Sequence, residues 1–366
     1  MYGRGRRSNA LMLGENATIE VREGEGLNIE AVDAALKANV DGLSGTPSVT
    51  QYPSGNSNLT YAIDYPDRRL VLRRPPFGPL PKAGHNMFRE YRIMRDLKPA
   101  FDQVPQTVFY TDDESIIGKE FYVMDRVDGP LIHKTIPPEW NWNADDTAQL
   151  GENFIDALAK LHTLDWKALG LEDFGRPEGY VERQILGWNK RWDKAWTDGI
   201  TRFDDVQKWL EDNMPAESGN VSVLHGDYRV DNAILKAEDP RQIAALLDWE
   251  ICAIGDPLMD LGNTLSYWIE ASDPAPMHMM IRQPSAAPGM PSRREFAQRY
   301  GEKTGYDVSD IHYHFVYGIW RLAVIIQQIH ARYVRGQTQD ERFAVMDKSV
   351  EALGALARYK IDSGTL

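Results

Sequence analysis

The chain has 366 residues, 42% hydrophobic and 26% charged, enough for a large core and ordinary for a globular protein. A net charge of −13 argues against a nucleic-acid-binding surface, and the single cysteine, Cys252, excludes an intrachain disulfide and a cysteine-rich zinc site. No apolar stretch approaches the length of a membrane span and no apolar signal core follows Arg4, Arg6 and Arg7, so a cytoplasmic protein without membrane or nucleic-acid partners is expected.

Residues 1–27 are rich in Gly, Arg and Glu and read as a loose arm or a strand added at an edge. From 28 to 40 the apolar spacing of Ile29, Val32, Ala35, Leu36 and Val40 predicts a helix. Residues 49–64 read as a hairpin around the small polar turn Ser54, Gly55, Asn56, Ser57 and Asn58. Such a turn can bring backbone N–H groups close to phosphates, but with one glycine it also suits an ordinary hairpin. Residues 69–76 read as a third strand stopped by prolines, with Arg73 at its end. A helix over 86–97 carries Met87, Tyr91, Met94 and Leu97 on one face, with Glu90 beside it. Glu90 either pairs with the strand cation or is a solvated charge next to Arg89 or Arg92.

Residues 104–110 and 120–124 read as two more strands, the second running through Met124 into a hinge at Asp125, Val127 and Gly129. A helix over about 148–164 follows, with His162 expected as a hydrogen-bonded core histidine. Trp188, Trp192 and Trp196 lie at i, i+4 and i+8 within 184–198, a stripe that packs a core or walls a substrate.

The chain is organised around 221–251. Two short apolar runs, Val221 to Leu224 and Ile243 to Leu247, end in polar residues: His225-Gly226-Asp227-Tyr228-Arg229-Val230-Asp231-Asn232 after the first, and Asp248-Trp249-Glu250 after the second. Strands fix the backbone in the core and release side chains at their ends. Asp227, Asn232 and Asp248 are oxygen donors, suited to Mg²⁺, which shares its coordination with substrate phosphates. An Asp that can accept a hydroxyl proton, an Asn five residues later and a second Asp further on make the spacing of a phosphotransfer loop. An Asp and an Asn making turn hydrogen bonds would give the same letters. Beyond the loop, Asp260 reads as a buried support, 274–292 as a loop without period, and 293–304, 311–333 and 338–359 as three helices. The middle one is expected to bury Phe315, Ile319, Leu322, Ile325, Ile326 and Ile329.

His225-Gly226-Asp227-x4-Asn232 followed by Asp248 resembles the aminoglycoside phosphotransferase and choline kinase branch of the protein-kinase-like fold. The chain looks most like the phosphotransferase branch fused, in animals, ahead of acyl-CoA dehydrogenases. Leu72 to Leu80, Ile117 to Met124, Gly175 to Gln184 and His225 to Asn232 carry that likeness. It implies an α+β, bilobal fold: an N-lobe over 1–125 with an antiparallel sheet, and a larger, mostly helical C-lobe over 126–366. With no dehydrogenase segment in the sequence, a stand-alone kinase-like protein is the expectation.

The resemblance further implies ATP as phosphate donor, with GTP left open, and Mg²⁺ on Asn232 and Asp248. Nucleotide contacts would fall on Ser54, Gly55, Asn56, Ser57, Asn58, Arg73, Glu90, Met124, Asp125 and Val127. Asp227 would be the catalytic base. Arg229 would face the phosphates or the acceptor, or be structural. Arg73 stands where many kinases place Lys, and its permanent charge and forked geometry alter the grip. The expected activity is a small-molecule kinase acting on a hydroxyl acceptor such as a hydroxyacyl-CoA. An aminoglycoside O-phosphotransferase and a catalytically silent nucleotide-binding module are the alternatives.

Overall fold

A computed structural model describes residues 18–53, 58–77 and 86–366. It divides into two compact units, residues 1–131 with 232–251, and residues 132–231 with 252–366.

The first unit begins with helix α1, Ile29–Asn39, whose N-cap Asn28 accepts from the Ala31 N–H at 3.2 Å. Five strands follow: β1 Ser48–Gln51, β2 Leu59–Asp64, β3 Arg69–Arg74, β4 Thr107–Thr111 and β5 Phe121–Asp125. They form one sheet in the order β1-β2-β3-β5-β4, with every pairing antiparallel. Helices α2, Met87–Leu97, and α3, Glu114–Ile117, lie between its strands in sequence. Ile19 bridges Gln51, so the part of the N-terminal arm that is described adds to the sheet at β1.

Alternation sets the two faces of this sheet. Leu70, Leu72, Phe121 and Val123 pack with Val32 and Leu36 of α1 in one apolar cluster. Their neighbours Val71, Arg73, Tyr122 and Met124 therefore point to the opposite face. A charged residue at position 73 is placed by strand register alone.

Residues 232–251 pack as part of this unit. Strands Ala233–Leu235 and Ile243–Leu246 form an antiparallel hairpin. Backbone bonds tie it to distant segments of the same unit. Leu235 N–H donates to the Pro130 carbonyl at 2.8 Å, and Leu246 N–H to the Gln103 carbonyl at 2.8 Å. Gly129 lets the backbones meet, since a Cβ there would overlap the Leu235 carbonyl oxygen.

The second unit is mostly helical: α4 Ala144–His162, α5 Tyr180–Ala195, α6 Asp204–Asp212, α7 Pro257–Tyr267, α8 Ala275–His278, α9 Arg293–Thr304, α10 Ile311–Val334 and α11 Asp347–Ser363. A short antiparallel pair, Ser222–Leu224 with Ala253–Gly255, brackets the central motif. Helix α4 starts before the expected position because Asn143 and Asp146 form a capping box. Helices α7 and α10 cross at Gly262 and Gly318, where a Cβ on either residue would fall into the other helix.

Two expectations are corrected here. Phe315 and Ile319 of α10 are buried as expected, but further along the helix the buried face is rotated: Trp320, Ala323, Val324 and Gln327 are buried, whereas Leu322, Ile325, Ile326 and Ile329 are only half-buried. Residues 274–292 are packed, not an open loop. Buried Gln283 accepts from the Val230 N–H at 2.7 Å and donates to the Tyr267 carbonyl at 3.1 Å. No helix among the described residues is long and apolar enough to cross a membrane.

Candidate active site

In the first unit, strand register puts Arg73 opposite Tyr122 and both beneath α2. Glu90, 2% exposed, is not a solvated helix charge. Its carboxylate meets Arg73 Nη1 at 3.2 Å, accepts from the Tyr122 hydroxyl at 2.9 Å and from Asn58 Nδ2 at 3.2 Å. Burial pushes the Glu90 carboxyl up, opposed by Arg73 and the Tyr122 hydroxyl. Burial works against the Arg73 charge too, but Tyr122, Glu90, Asp248 and Glu250 outweigh it and hold the guanidinium above its ordinary range. Asn58 turns its side chain inward, and the same amide reaches Glu250 at 3.4 Å. Ser54, Gly55, Asn56 and Ser57 lie outside the described residues.

The Ala233–Leu235/Ile243–Leu246 hairpin brings the two expected metal ligands side by side. Leu247 N–H donates to the Asn232 carbonyl at 2.8 Å, which sets Asn232 beside the residue preceding Asp248. Asp248 has φ of 67°, a left-handed conformation uncommon for a residue with a side chain. Its Oδ1 is buried without a hydrogen-bond partner and lies 4.0 Å from Arg73 Nη2; Arg73 Nε is likewise buried and unsatisfied. Buried polar atoms are almost always paired, so unmet demand in one place marks room for a ligand. The donors fit a hard cation. No group of three or more His, Cys, Asp or Glu suited to a metal occurs among the described residues. A divalent ion here would draw its other ligands from water and phosphate oxygens.

At the expected hinge, Met124 is buried in β5. Asp125 spends its N–H on the Gln106 carbonyl at 2.8 Å, and its carboxylate grips Arg68 at 2.7 and 3.1 Å. Only its carbonyl can serve a ligand. Val127 has no hydrogen-bond partner among the described residues, so its N–H is available.

In the second unit, the loop that opens at His225 is held by Asp260, on the first turn of α7. The Asp260 carboxylate, 1% exposed, accepts from the His225 N–H at 2.7 Å and the Gly226 N–H at 2.9 Å. It also meets His162 Nε2 at 3.2 Å, and His162 Nδ1 meets the Tyr300 hydroxyl at 2.7 Å. Burial alone would raise the Asp260 carboxyl, but His162, His225 and the loop N–H lower it below its ordinary value. Gly226 has φ of 83°, the turn that delivers Asp227, which is why glycine suits that place. The Asp227 N–H donates to His225 Nδ1 at 3.3 Å. Arg229 is structural in part: it meets Asp231 at 2.9 Å and Asp227 at 3.4 Å and lies over the Tyr267 ring at 4.9 Å. Burial disfavours its charge, yet Asp227 and Asp231 hold it above its ordinary range.

One residue near Asp227 escaped the sequence reading. Arg321, on α10, donates from Nη2 to the Gly226 carbonyl at 3.1 Å. A lone arginine in the buried row of a long apolar helix was the signal. Beneath it, Trp188 is half-buried, whereas Trp192 is fully buried against Trp320. Of the stripe, Trp192 packs the core, while Trp188 and Trp196 stay half-buried.

A model described as "Phosphotransferase enzyme family" matches residues 48–296. The chain belongs to that family. As a family member it is an enzyme that transfers phosphoryl groups to small molecules, on a kinase-like α+β fold. It is 31% identical over 316 residues to acyl-CoA dehydrogenase family member 11 of Gallus gallus, covering 85% of this chain and 40% of the relative. The chain thus spans about two fifths of that relative's length. A solved structure from Ralstonia eutropha, classed with the aminoglycoside phosphotransferases, is 28% identical with a TM-score of 0.80, covering 92% of this chain and 99% of that one. Spectinomycin phosphotransferase, solved with ADP and spectinomycin, shares the fold at 12% identity and a TM-score of 0.58, covering 90% and 98%.

Proposed function

We propose that the phosphotransferase uses ATP and Mg²⁺ and passes the γ-phosphate to a hydroxyl of a small molecule, a hydroxyacyl-CoA or a related hydroxylated metabolite. The observation that carries the reading is the unmet polarity of Arg73 Nε and Asp248 Oδ1, on side chains whose charged atoms come within 4.0 Å. A half-buried cation and a half-buried carboxylate, each with one buried atom left unsatisfied, suit a ligand carrying both charges, a metal-bound polyphosphate. The bound ADP of spectinomycin phosphotransferase supports an adenine nucleotide.

In this mechanism Arg73 grips the α- and β-phosphate oxygens, and Glu90 fixes its fork. The Val127 N–H and the Asp125 carbonyl offer the donor and acceptor that an adenine edge needs. Asn58 keeps Glu90 and Glu250 in place. Asn232 and Asp248 would hold Mg²⁺. When bound there, the ion offsets charge on the β- and γ-phosphates. Asp227 aligns the acceptor hydroxyl and takes its proton as the new oxygen–phosphorus bond forms and the bond to the β–γ bridging oxygen breaks. The products are a phosphate monoester, ADP and a proton returned to solvent. Arg229, paired with Asp227, restrains that carboxylate.

The acyl-CoA name of the Gallus gallus relative supports an acyl-CoA-derived acceptor. The class of the Ralstonia eutropha protein supports an aminoglycoside as the second reading. Both are tested by transfer from γ-labelled ATP with Mg²⁺ to hydroxyacyl-CoAs, hydroxy acids, choline and aminoglycosides. Labelled product from one class is expected, falling by about 10²- to 10⁴-fold in Asp227→Ala. Asp248→Ala is expected to lose Mg²⁺-dependent nucleotide binding. Tight ATP binding with no transfer to any acceptor would favour a silent module, and full activity in Asp227→Ala would remove the assigned base.

A further inference from the structure

The geometry points to Arg321 as the residue that selects the phosphate acceptor, by binding an anionic group carried close to the reacting hydroxyl. This rests on reading Asp227 as the residue that receives that hydroxyl. Arg321 is 7% exposed. Among the described residues no carboxylate lies within ion-pairing distance of its guanidinium. The guanidinium meets the Gly226 carbonyl at 3.1 Å and the face of Trp188 at 5.3 Å. A buried charge is costly unless it is compensated, and here a carbonyl, an indole face and the nearby charge of Asp227 hold the guanidinium above its ordinary range with no carboxylate in direct contact.

The surroundings share its sign. Arg191 lies over the same indole at 4.3 Å. Tyr180, Tyr267 and Tyr317 crowd around Arg321 as neutral hydroxyl-bearing rings, and Asp227 is the one carboxylate whose charge reaches it strongly. Asp231 and Asp260 are committed to Arg229 and to His162 with the loop N–H groups. A polycationic acceptor would meet arginines here, with Asp227 already opposed by Arg229. An anionic acceptor would complete Arg321 and lay its carbon frame against Trp188.

Reach limits where the anion sits. The guanidinium bonds the carbonyl of the residue just before Asp227, and a base must come within about 3 Å of the hydroxyl it serves. The anionic group and the hydroxyl therefore belong to one short frame. A carboxylate of a hydroxy acid meets this directly. The phosphates of a coenzyme A thioester supply the same charge from further along the molecule, and the two sources are separable.

The test compares calorimetric binding of hydroxybutyrate, its neutral methyl ester and its coenzyme A thioester to the full chain, in the wild type and in Arg321→Gln. Phosphate transfer to each is measured in parallel. The wild type is expected to bind the anionic forms at least about tenfold more tightly than the ester, and Arg321→Gln to collapse that ratio towards one. Preference for the free acid identifies a carboxylate site; preference for the thioester alone identifies coenzyme A phosphates. Arg321→Lys keeps the charge without the fork and is expected to retain part of the ratio, so a poorly folded glutamine variant leaves the test intact. Equal binding of ester and anions by the wild type, or a ratio unchanged in both variants, overturns the assignment. Anion binding through Arg321 without transfer would leave it standing and sink the phosphotransfer mechanism. Transfer to aminoglycosides with no dependence on Arg321 would do the reverse.

Discussion

Two buried arginines, one in each unit, show how differently the same side chain can be used. Arg73 is met by Glu90 at 3.2 Å, with Tyr122 and Asn58 fixing that carboxylate from either side. Arg321 is the more deeply buried and has no carboxylate within ion-pairing distance among the described residues. A cation neutralised inside the fold is an oriented tool, aimed by its partner. One without such a partner is held by a carbonyl and an indole face, beside Asp227.

The contrast is broken most severely at Glu90. Glu90→Ala leaves Arg73 buried without its partner and is expected to lower stability by about 3–5 kcal/mol in denaturant unfolding. Arg73→Met in the same background should recover much of that loss, because an unpaired charge is the cause.

Asp260→Asn comes next. Hydrogen bonds to a charged acceptor contribute about 1.5–3 kcal/mol each, so a loss of that order is expected at neutral pH. The Asp260 carboxyl titrates below its ordinary 3.8 in the fold, so its contribution is complete above that pH and lost as pH falls through the lower folded value. The stability gap between wild type and Asp260→Asn should therefore narrow only below about pH 3.8 in acid-unfolding curves, and a gap already closed near neutrality would refute the assignment.

Arg321→Met should have the smallest effect on the fold, and the sign is open to gain: a change within about 1 kcal/mol, or a rise in stability, measured by thermal melting. A loss as large as that of Glu90→Ala would show that Arg321 serves the fold.

The same contrast explains what the sequence discloses. The His225 to Asn232 loop is legible because its geometry is local: a strand end, a glycine with φ of 83° and neighbours within a few residues. Arg73 and Glu90 are legible because strand and helix periodicity place each one before any contact is known. The place of residues 232–251 depends on backbone bonds to Pro130 and Gln103, which no periodicity announces. The buried row of α10 was misread because large aliphatic residues were assumed to lie innermost. The close crossing with α7 at Gly262 and Gly318 instead turns a mixed row inward, Trp320, Ala323, Val324 and Gln327 among it. Arg321 was lost with that rotation.

The Asp260 clasp has a consequence for how such an enzyme can change. The turn that presents Asp227 is secured through main-chain N–H groups and a carboxylate on α7, none of which has to know what the acceptor is. Trp188, Arg191 and Arg321 come from α5 and α10. Substitutions on those two helices can retune the choice of molecule while the reacting loop keeps its shape, so a lineage can explore new acceptors without first surrendering its chemistry.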